Sequence, residues 1–242
     1  MRIGVNAGVL GHNTISGIGR YLISLLKEFS DLEHEIFLYL PCKSELVNTF
    51  SVDMTIRCSY LGTGLGKKVW EQTILPYWAI KDDVDILWSP SHHLPLWLPS
   101  KIRKCLTIHD VVWKIYPDTM PWLNRWSESL LMTSSVKVAD KIIVVSKSTA
   151  EDVTEIWPEA GAKISVIYPG VTDFNDDVKK IDKIDGQPYI LFVGTKEPRK
   201  NLTRLINAYA LLPQKIKNKY KLLIVGGSGW GQSNLSECIN KN

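Results

Sequence analysis

The chain has 242 residues, 45% of them hydrophobic and 22% charged, with a formal net charge of +4. This composition excludes an intrinsically disordered chain and leaves enough apolar content for one large domain or two ordinary ones. Lys and Arg are spread along the whole length, so no clustered nucleic-acid footprint exists, although the mild basic balance permits attraction to phosphorylated ligands or an anionic membrane surface.

The N-terminal stretch "MRIGVNAGVLGHN" carries one Arg and a short apolar run, without the h-region or cleavage site of a signal peptide. No run approaches the roughly 20 apolar residues of a membrane span. Cys42, Cys58, Cys105 and Cys238 show no Cys-x-x-Cys pairing. They read as reduced core thiols, which fits a reducing cytoplasm.

Strands are predicted at "IGVNA", "IFLYL", "ILWS", "CLTI", "KIIVVS", "ISVIY", "YILFVG" and "KLLIVGG". Between the first two, "GRYLISLLKEF" sets Leu22, Leu25, Leu26 and Phe29 on one helical face. Before "ILWS", the segment "KKVWEQTILPYWAIK" joins a basic flank to an aromatic, helix-like run, the pattern of a surface that meets a membrane or packs into a core. "NRWSESLLMTSSVKVAD" predicts a further helix, and another begins near Ser148, with Ser148 and Glu151 at capping-box spacing and a stop at Pro158. The alternation argues for βα units around a parallel sheet.

After "VIYPGV" the sequence turns polar and aperiodic, which marks a linker over residues 173–187 between a domain at 1–172 and a segment at 188–242. That second segment holds one strand, the helix "LTRLINAYALL", one strand and a Gly-rich "GGSGWG". It is thin for a core of its own.

Open α/β sheets bind ligands beyond the carboxyl ends of their strands, so the residues following each strand are the informative ones. Gly17 and Gly19 open a helix, where free amides and the helix dipole favour an anion; the alternative is a tight turn that requires glycine. His109 and Asp110 end a strand, and a His there can donate a hydrogen bond to a sugar or share protons; the alternative is a His bonded to backbone. His92 and His93 should point to different sides, and no metal-ligand spacing joins them to His109, so no metal site is expected. In "FVGTKEPRKN", Pro198 is pre-set for a first helical turn, and Arg199 and Lys200 place cations beside free backbone donors. Cations at that end of a helix are unfavourable unless an anionic ligand such as a diphosphate answers them. Seven of the nine tryptophans lie between Trp70 and Trp126, suited to sugar stacking, a membrane interface or core packing.

With these residues read, the chain resembles the retaining glycosyltransferases of family 4, or group 1, which have the two-Rossmann GT-B fold. The matching pieces are "SGIGRY", "VWEQTILP", "HDVVW", "ADKIIVVSKSTAEDV", "ISVIYPGV", "ILFVGTKEPRKNLTRLINAYALL" and "LLIVGGSGWG", in the family's order and covering nearly the whole chain up to Gly231. The resemblance implies an α/β chain of GT-B type: a complete N-terminal Rossmann-like domain that binds acceptor, followed by the first βαβ part of a nucleotide-sugar-binding domain. By that analogy the donor lies in the cleft between the domains, and Lys200 with Arg199 neutralises its departing diphosphate without a metal or cofactor. Gly17, Gly19, Gly194 and Thr195 join them as donor contacts, His109 contacts the transferred sugar, and His92 and Asp110 lie on the acceptor side. Many relatives carry Arg where Thr195 stands. The family's Glu-x7-Glu element belongs further on than this chain reaches, and the same spacing at Glu151 and Glu159 reads as coincidence.

The expected function is transfer of a sugar, with retention, from a nucleotide sugar such as GDP-mannose to a glycan or lipid-linked acceptor of surface polysaccharide. The expected location is the cytoplasm, with peripheral contact at the inner face of the membrane and no nucleic-acid partner. Two other readings stand beside it: an inactive truncated remnant serving as a binding module, and a sugar-nucleotide epimerase of the same architecture.

Overall fold

The predicted apolar runs all become strands, in a computed structural model that describes residues 1–11, 15–29, 32–46, 54–171, 186 and 188–227. In chain order the elements are β1 (Arg2–Asn6), α1 (Gly17–Phe29), β2 (Glu35–Leu40), β3 (Met54–Cys58), α2 (Leu65–Gln72), α3 (Ile74–Lys81), β4 (Ile86–Ser89) and β5 (Arg103–Ile108). They continue with α4 (Val112–Ile115), α5 (Trp122–Val138), β6 (Lys141–Val144), α6 (Lys147–Ile156), β7 (Ile164–Val166), β8 (Tyr189–Val193), α7 (Leu202–Ala210), α8 (Gln214–Lys219) and β9 (Lys221–Val225).

The chain divides into two compact units, Met1–Ile115 with Trp122–Thr172, and Asp173–Asn242 with Tyr116–Pro121. In the first, seven strands form one parallel sheet in the order β3-β2-β1-β4-β5-β6-β7. The order reverses between β1 and β4, the switch point of a doubly wound sheet. Strand β3, "MTIRC", is absent from the sequence reading because Thr55 and Arg57 interrupt its apolar character; it survives as an edge strand paired only to β2.

Alternation along the strands places helices on both faces. In β2, Ile36, Leu38 and Leu40 pack with Leu22 and Leu26 of α1, while Phe37 and Tyr39 face Trp70, Leu75 and Ala79 of α2 and α3. A third cluster joins Leu106 and Ile108 of β5 to Met132 and Val136 of α5 and Val153 of α6. The segment "KKVWEQTILPYWAIK" is therefore two helices, and its tryptophans are committed inward: Trp70 is fully buried and Trp78 packs on the same cluster. Those tryptophans serve packing, while Leu65, Val69 and Tyr77 of the same helices stay exposed. The cap of α6 also corrects the reading, because Ser146, not Ser148, accepts the Thr149 amide. Cys42, Cys58 and Cys105 are free thiols, half-buried rather than sealed in the core.

In the second unit β8 and β9 pair in parallel, with α7 and α8 forming the crossover between them. Leu202 and Ile206 of α7 are its buried residues. The 173–187 linker and the end of "GGSGWG" fall outside the described residues, apart from Gly186 and the two leading glycines.

Leu106→Ala removes a fully buried side chain from the middle of the sheet, so urea unfolding followed by tryptophan fluorescence should show a loss of about 2–5 kcal/mol.

Candidate functional site

At the switch point, β1 ends on Asn6 and β4 on Ser89, both buried. The Asn6 amide donates to Ser89 Oγ at 3.2 Å and to Glu71 Oε1 of α2 at 3.1 Å. Beyond Ser89 the chain runs through Pro90–His93, which carries the His92 and His93 of the sequence reading. His93 is buried between two helices, its Nε2 at 2.8 Å from Glu128 Oε2 of α5 and its Nδ1 at 3.8 Å from Glu71 Oε2. Burial works against an imidazolium here, but hydrogen bonds and charge from Glu128 and Glu71 outweigh it and raise the His93 pKa to about 9. Burial likewise disfavours the two carboxylates, and Lys67 with His93 for Glu71, and His93 for Glu128, bring both below the usual carboxylate range. The result is a carboxylate–imidazolium–carboxylate array beneath the carboxyl ends of β1 and β4.

His92 faces the other way and meets His109, as the expectation of opposite sides for His92 and His93 requires. Its Nε2 accepts the backbone N–H of His109 at 3.1 Å, and the two rings are 5.6 Å apart. Burial, reinforced by the charges of His109 and His93 against that of Asp110, lowers the His92 pKa to about 4, so the ring is neutral at pH 7. The His109 ring donates from Nε2 to the Pro90 carbonyl at 2.9 Å, and burial lowers its pKa despite that bond. A neutral ring with one nitrogen committed as donor offers Nδ1 as an acceptor. The bond to Pro90 is the backbone-bonded alternative of the sequence reading; it takes Nε2 as a donor and leaves Nδ1 as the ring's acceptor. Asp110 is exposed and accepts the Val112 amide at the start of α4.

Gly17 and Gly19 lie in the first turn of α1 with no positive φ, so no tight turn demands glycine at either position. The Gly19 amide is already taken by Ser16 Oγ at 3.1 Å, which leaves it unavailable to an anion. A side chain at Gly17 would meet nothing within 4 Å. Tyr21, one helical turn on, packs edge-on against the His109 ring at 5.0 Å and ties this turn to the histidines.

The remaining candidates lie in the second unit. Gly194 follows β8, and its amide bonds the Val225 carbonyl at 2.9 Å; Gly226 after β9 must be glycine, because a Cβ there would sit 1.9 Å from Gly194 O. Pro198 starts a 3-10 turn, Pro198–Lys200, and α7 begins only at Leu202 after Asn201 takes a left-handed conformation. Arg199 and Lys200 therefore precede the helix instead of occupying its first turn. Glu197 explains one of the two cations: its carboxylate accepts Thr195 Oγ1 at 2.6 Å and Arg199 Nε at 2.8 Å. Lys200 is exposed and makes no side-chain hydrogen bond or ion pair among the described residues.

The structure thus brings His92, His109, Asp110 and the α1 turn together in one unit, and Gly194, Thr195, Arg199 and Lys200 in the other. It adds Asn6, Glu71, Ser89 and Glu128, which sequence reasoning missed, and gives His93, noted there only for the side it faces, two carboxylate partners. Asn6 and Ser89 were findable, since each is the polar residue that closes an apolar strand. Glu71 and Glu128 were not, because nothing in a helical period tells a buried carboxylate from a solvated one.

The model of glycosyltransferase family 4 matches residues 15–173, and that of the group 1 glycosyl transferases matches residues 173–241. Among curated proteins, O-antigen chain mannosyltransferase B of Escherichia coli is 26% identical over 174 residues, which cover 68% of this chain and 45% of that protein. O-antigen chain mannosyltransferase RfbU of Salmonella typhimurium is 28% identical over 137 residues, 57% of this chain and 35% of that one. The chain thus spans less than half the length of either. Of solved structures, Anabaena HepE in complex with UDP and glucose superposes with a TM-score of 0.64 at 14% identity, over 99% of this chain and 65% of that one. UDP-GlcNAc 2-epimerase of Neisseria meningitidis bound to UDP-GlcNAc gives 0.54 at 10% identity, over 100% and 69%. Those likenesses establish the fold alone.

The His93 array contributes a pH-dependent part of the stability above neutral pH. Its folded pKa of about 9 lies above the ordinary 6.5, so its contribution is complete below pH 6.5 and is lost as pH rises through 9. Thermal melts should show Tm falling by several degrees between those limits, and His93→Gln should flatten that slope.

Proposed function

Because the chain belongs to glycosyltransferase family 4, its second part matching the group 1 glycosyl transferases, we propose that it takes part in transferring a sugar, with retention, from a nucleotide sugar to a glycan or lipid-linked acceptor. The observation that carries this is the pair of family matches, meeting at residue 173 and spanning the chain from residue 15. The relatives' names point to mannose and O-antigen, which makes a mannosyl nucleotide the first donor to test.

In this reading Lys200 neutralises the diphosphate as it departs. It is the cation of its turn that Glu197 does not occupy, and the role is electrostatic, requiring no metal or cofactor. Arg199, Thr195 and Gly194 support it. Gly17 and Gly19 keep the start of α1 low enough for the donor to approach, His109 accepts a hydroxyl of the transferred sugar at Nδ1, and His92 and Asp110 serve the acceptor. The epimerase reading shares the fold and lacks the family matches. The reading as a binding module without turnover has one observation in its favour: among the described residues the second unit holds a two-stranded sheet, on which Leu191 and Val193 are exposed.

Thermal-shift titration with GDP-mannose, UDP-glucose and UDP-GlcNAc tests the donor. A ligand at about 100 times its Kd adds about 2.7 kcal/mol to stability, and we expect GDP-mannose to give the largest shift. Lys200→Ala should weaken binding by about 1.5–3 kcal/mol, the value of a hydrogen bond to a charged group. Gly17→Ala should leave the unliganded Tm unchanged or raised, since the site has room, while lowering the nucleotide shift. An unchanged shift in Lys200→Ala removes the diphosphate assignment.

No described helix is long and apolar enough to cross a membrane. Contact with a lipid surface carrying the acceptor, as part of the same proposal, falls to α5, where Trp122, Trp126 and Leu130 are 70%, 64% and 49% exposed. Cosedimentation with vesicles containing anionic lipid should be retained by the native chain and reduced severalfold in a Trp122→Ala, Trp126→Ala double variant.

A further inference from the structure

We infer that His93 is a positioning residue: clamped between Glu71 and Glu128, it fixes the Pro90–His93 segment and through it the mutual geometry of His92 and His109. The inference rests on the reading of His109 as the residue that meets the sugar.

Three observations carry it. First, His92 holds a left-handed backbone conformation, φ +61°, which a non-glycine residue keeps only where its surroundings over-determine it. Second, the anchors on either side are all in place. The His92 amide donates to Thr107 O at 3.1 Å, the His93 amide to Ser91 O at 2.7 Å and the Leu94 amide to Ser135 Oγ at 2.8 Å, while Ser89 Oγ donates to the His93 carbonyl. Ser91 Oγ is buried with no hydrogen-bond partner among the described residues, so its hydroxyl anchors nothing. Of the segment's own side chains, the His93 ring is the one that ties it to the helices, gripped by α2 and α5 from two sides.

Third, two of the contacts that orient His109 terminate in this segment, beside Tyr21 against its ring and Thr149 Oγ1 on its carbonyl. Its ring donates to the Pro90 carbonyl and its backbone amide to His92 Nε2. A shift of Pro90 releases the ring tautomer, and a shift of His92 releases the amide. Among the described residues no hydrogen bond or ion pair joins Glu71 or Glu128 to His109; Glu128 acts on the segment at the His93 ring, and Glu71 at that ring and by way of Asn6 and Ser89. The Asn6 bond to Glu71 Oε1 extends the same clamp to the end of β1 at the switch point.

The test is NMR of the full chain labelled with 15N-histidine, without substrate, so it does not depend on turnover or on the donor. Each of the five histidines is assigned by substitution. In the native chain His109 should show the fixed tautomer with Nε2 protonated, and a protected backbone amide. In His93→Gln, and in Glu128→Gln in case the first variant does not fold, the His109 ring nitrogens should move toward tautomer averaging. Its amide should exchange roughly tenfold faster. Asp82→Asn breaks the buried pair with Arg57 near the opposite edge of the sheet and is the control for general loosening. The inference is overturned if folded His93→Gln or Glu128→Gln keeps the His109 tautomer and amide protection, or if Asp82→Asn changes them equally. A chain that binds no nucleotide yet shows the expected His109 changes would sink the donor reading and leave the positioning role standing.

Discussion

A charged imidazole buried between two carboxylates is the constraint around which the first unit is arranged. Taking one cation and two anions out of water costs several kcal/mol per ion, and their attraction returns that cost only when every partner is held in place. Such an array adds little net stability over an apolar packing of the same volume. What it enforces is geometry, because withdrawal of any one member leaves a buried charge uncompensated. Here the members come from α2, α5 and the segment after β4, three elements that the parallel sheet alone does not hold in register. The sheet sets where β1 and β4 end; the ion array sets where the chain goes next.

The second unit solves a different electrostatic problem on a smaller scale. Two adjacent cations ahead of a helix would oppose the positive end of its dipole. The chain relieves this by delaying α7 to Leu202 and by turning Glu197 back onto Arg199. One cation is thereby satisfied within the fold, and Lys200 is left exposed to act on whatever approaches. Thr195, where the resemblance sets an Arg in many relatives, is engaged with the same carboxylate. The local network therefore consumes a hydroxyl where an additional guanidinium would have raised the positive charge.

Much of this architecture was legible in the sequence, for identifiable reasons. Continuous apolar runs such as "IFLYL" and "KIIVV" can be satisfied only by strands covered on both faces, so the parallel sheet and its helices followed. Strand β3 escaped because an edge strand need not be apolar, and the α6 cap was placed two residues late because Ser146 and Ser148 are equivalent to a spacing rule. The aromatic segment at α2 and α3 read ambiguously because composition does not say which way Trp70 points. His109 and the "TKEPRK" turn were visible because they follow strand ends. The carboxylates that hold His93 were not, since Glu71 and Glu128 come from helices distant in sequence and only the tertiary fold makes them neighbours.

That division bears on how far a fold can carry a function. The two-Rossmann architecture is shared by a glucose- and UDP-bound protein and by an epimerase, so the arrangement of strands does not choose between moving a sugar to another molecule and rearranging it in place. The diphosphate cradle proposed at the Lys200 turn would serve either chemistry and so does not choose between them. What differs is the other half of the chemistry. Transfer requires a surface that receives an acceptor and holds one sugar hydroxyl fixed while the anomeric bond breaks, which asks for rigid neutral acceptors and not for a mobile acid or base. His109, with its ring held by the Pro90 carbonyl and its pKa lowered by burial, presents Nδ1 as a fixed acceptor. On the proposed assignment of His109 to the sugar, the physical character of that one side chain, more than the sheet beneath it, favours transfer over rearrangement in place.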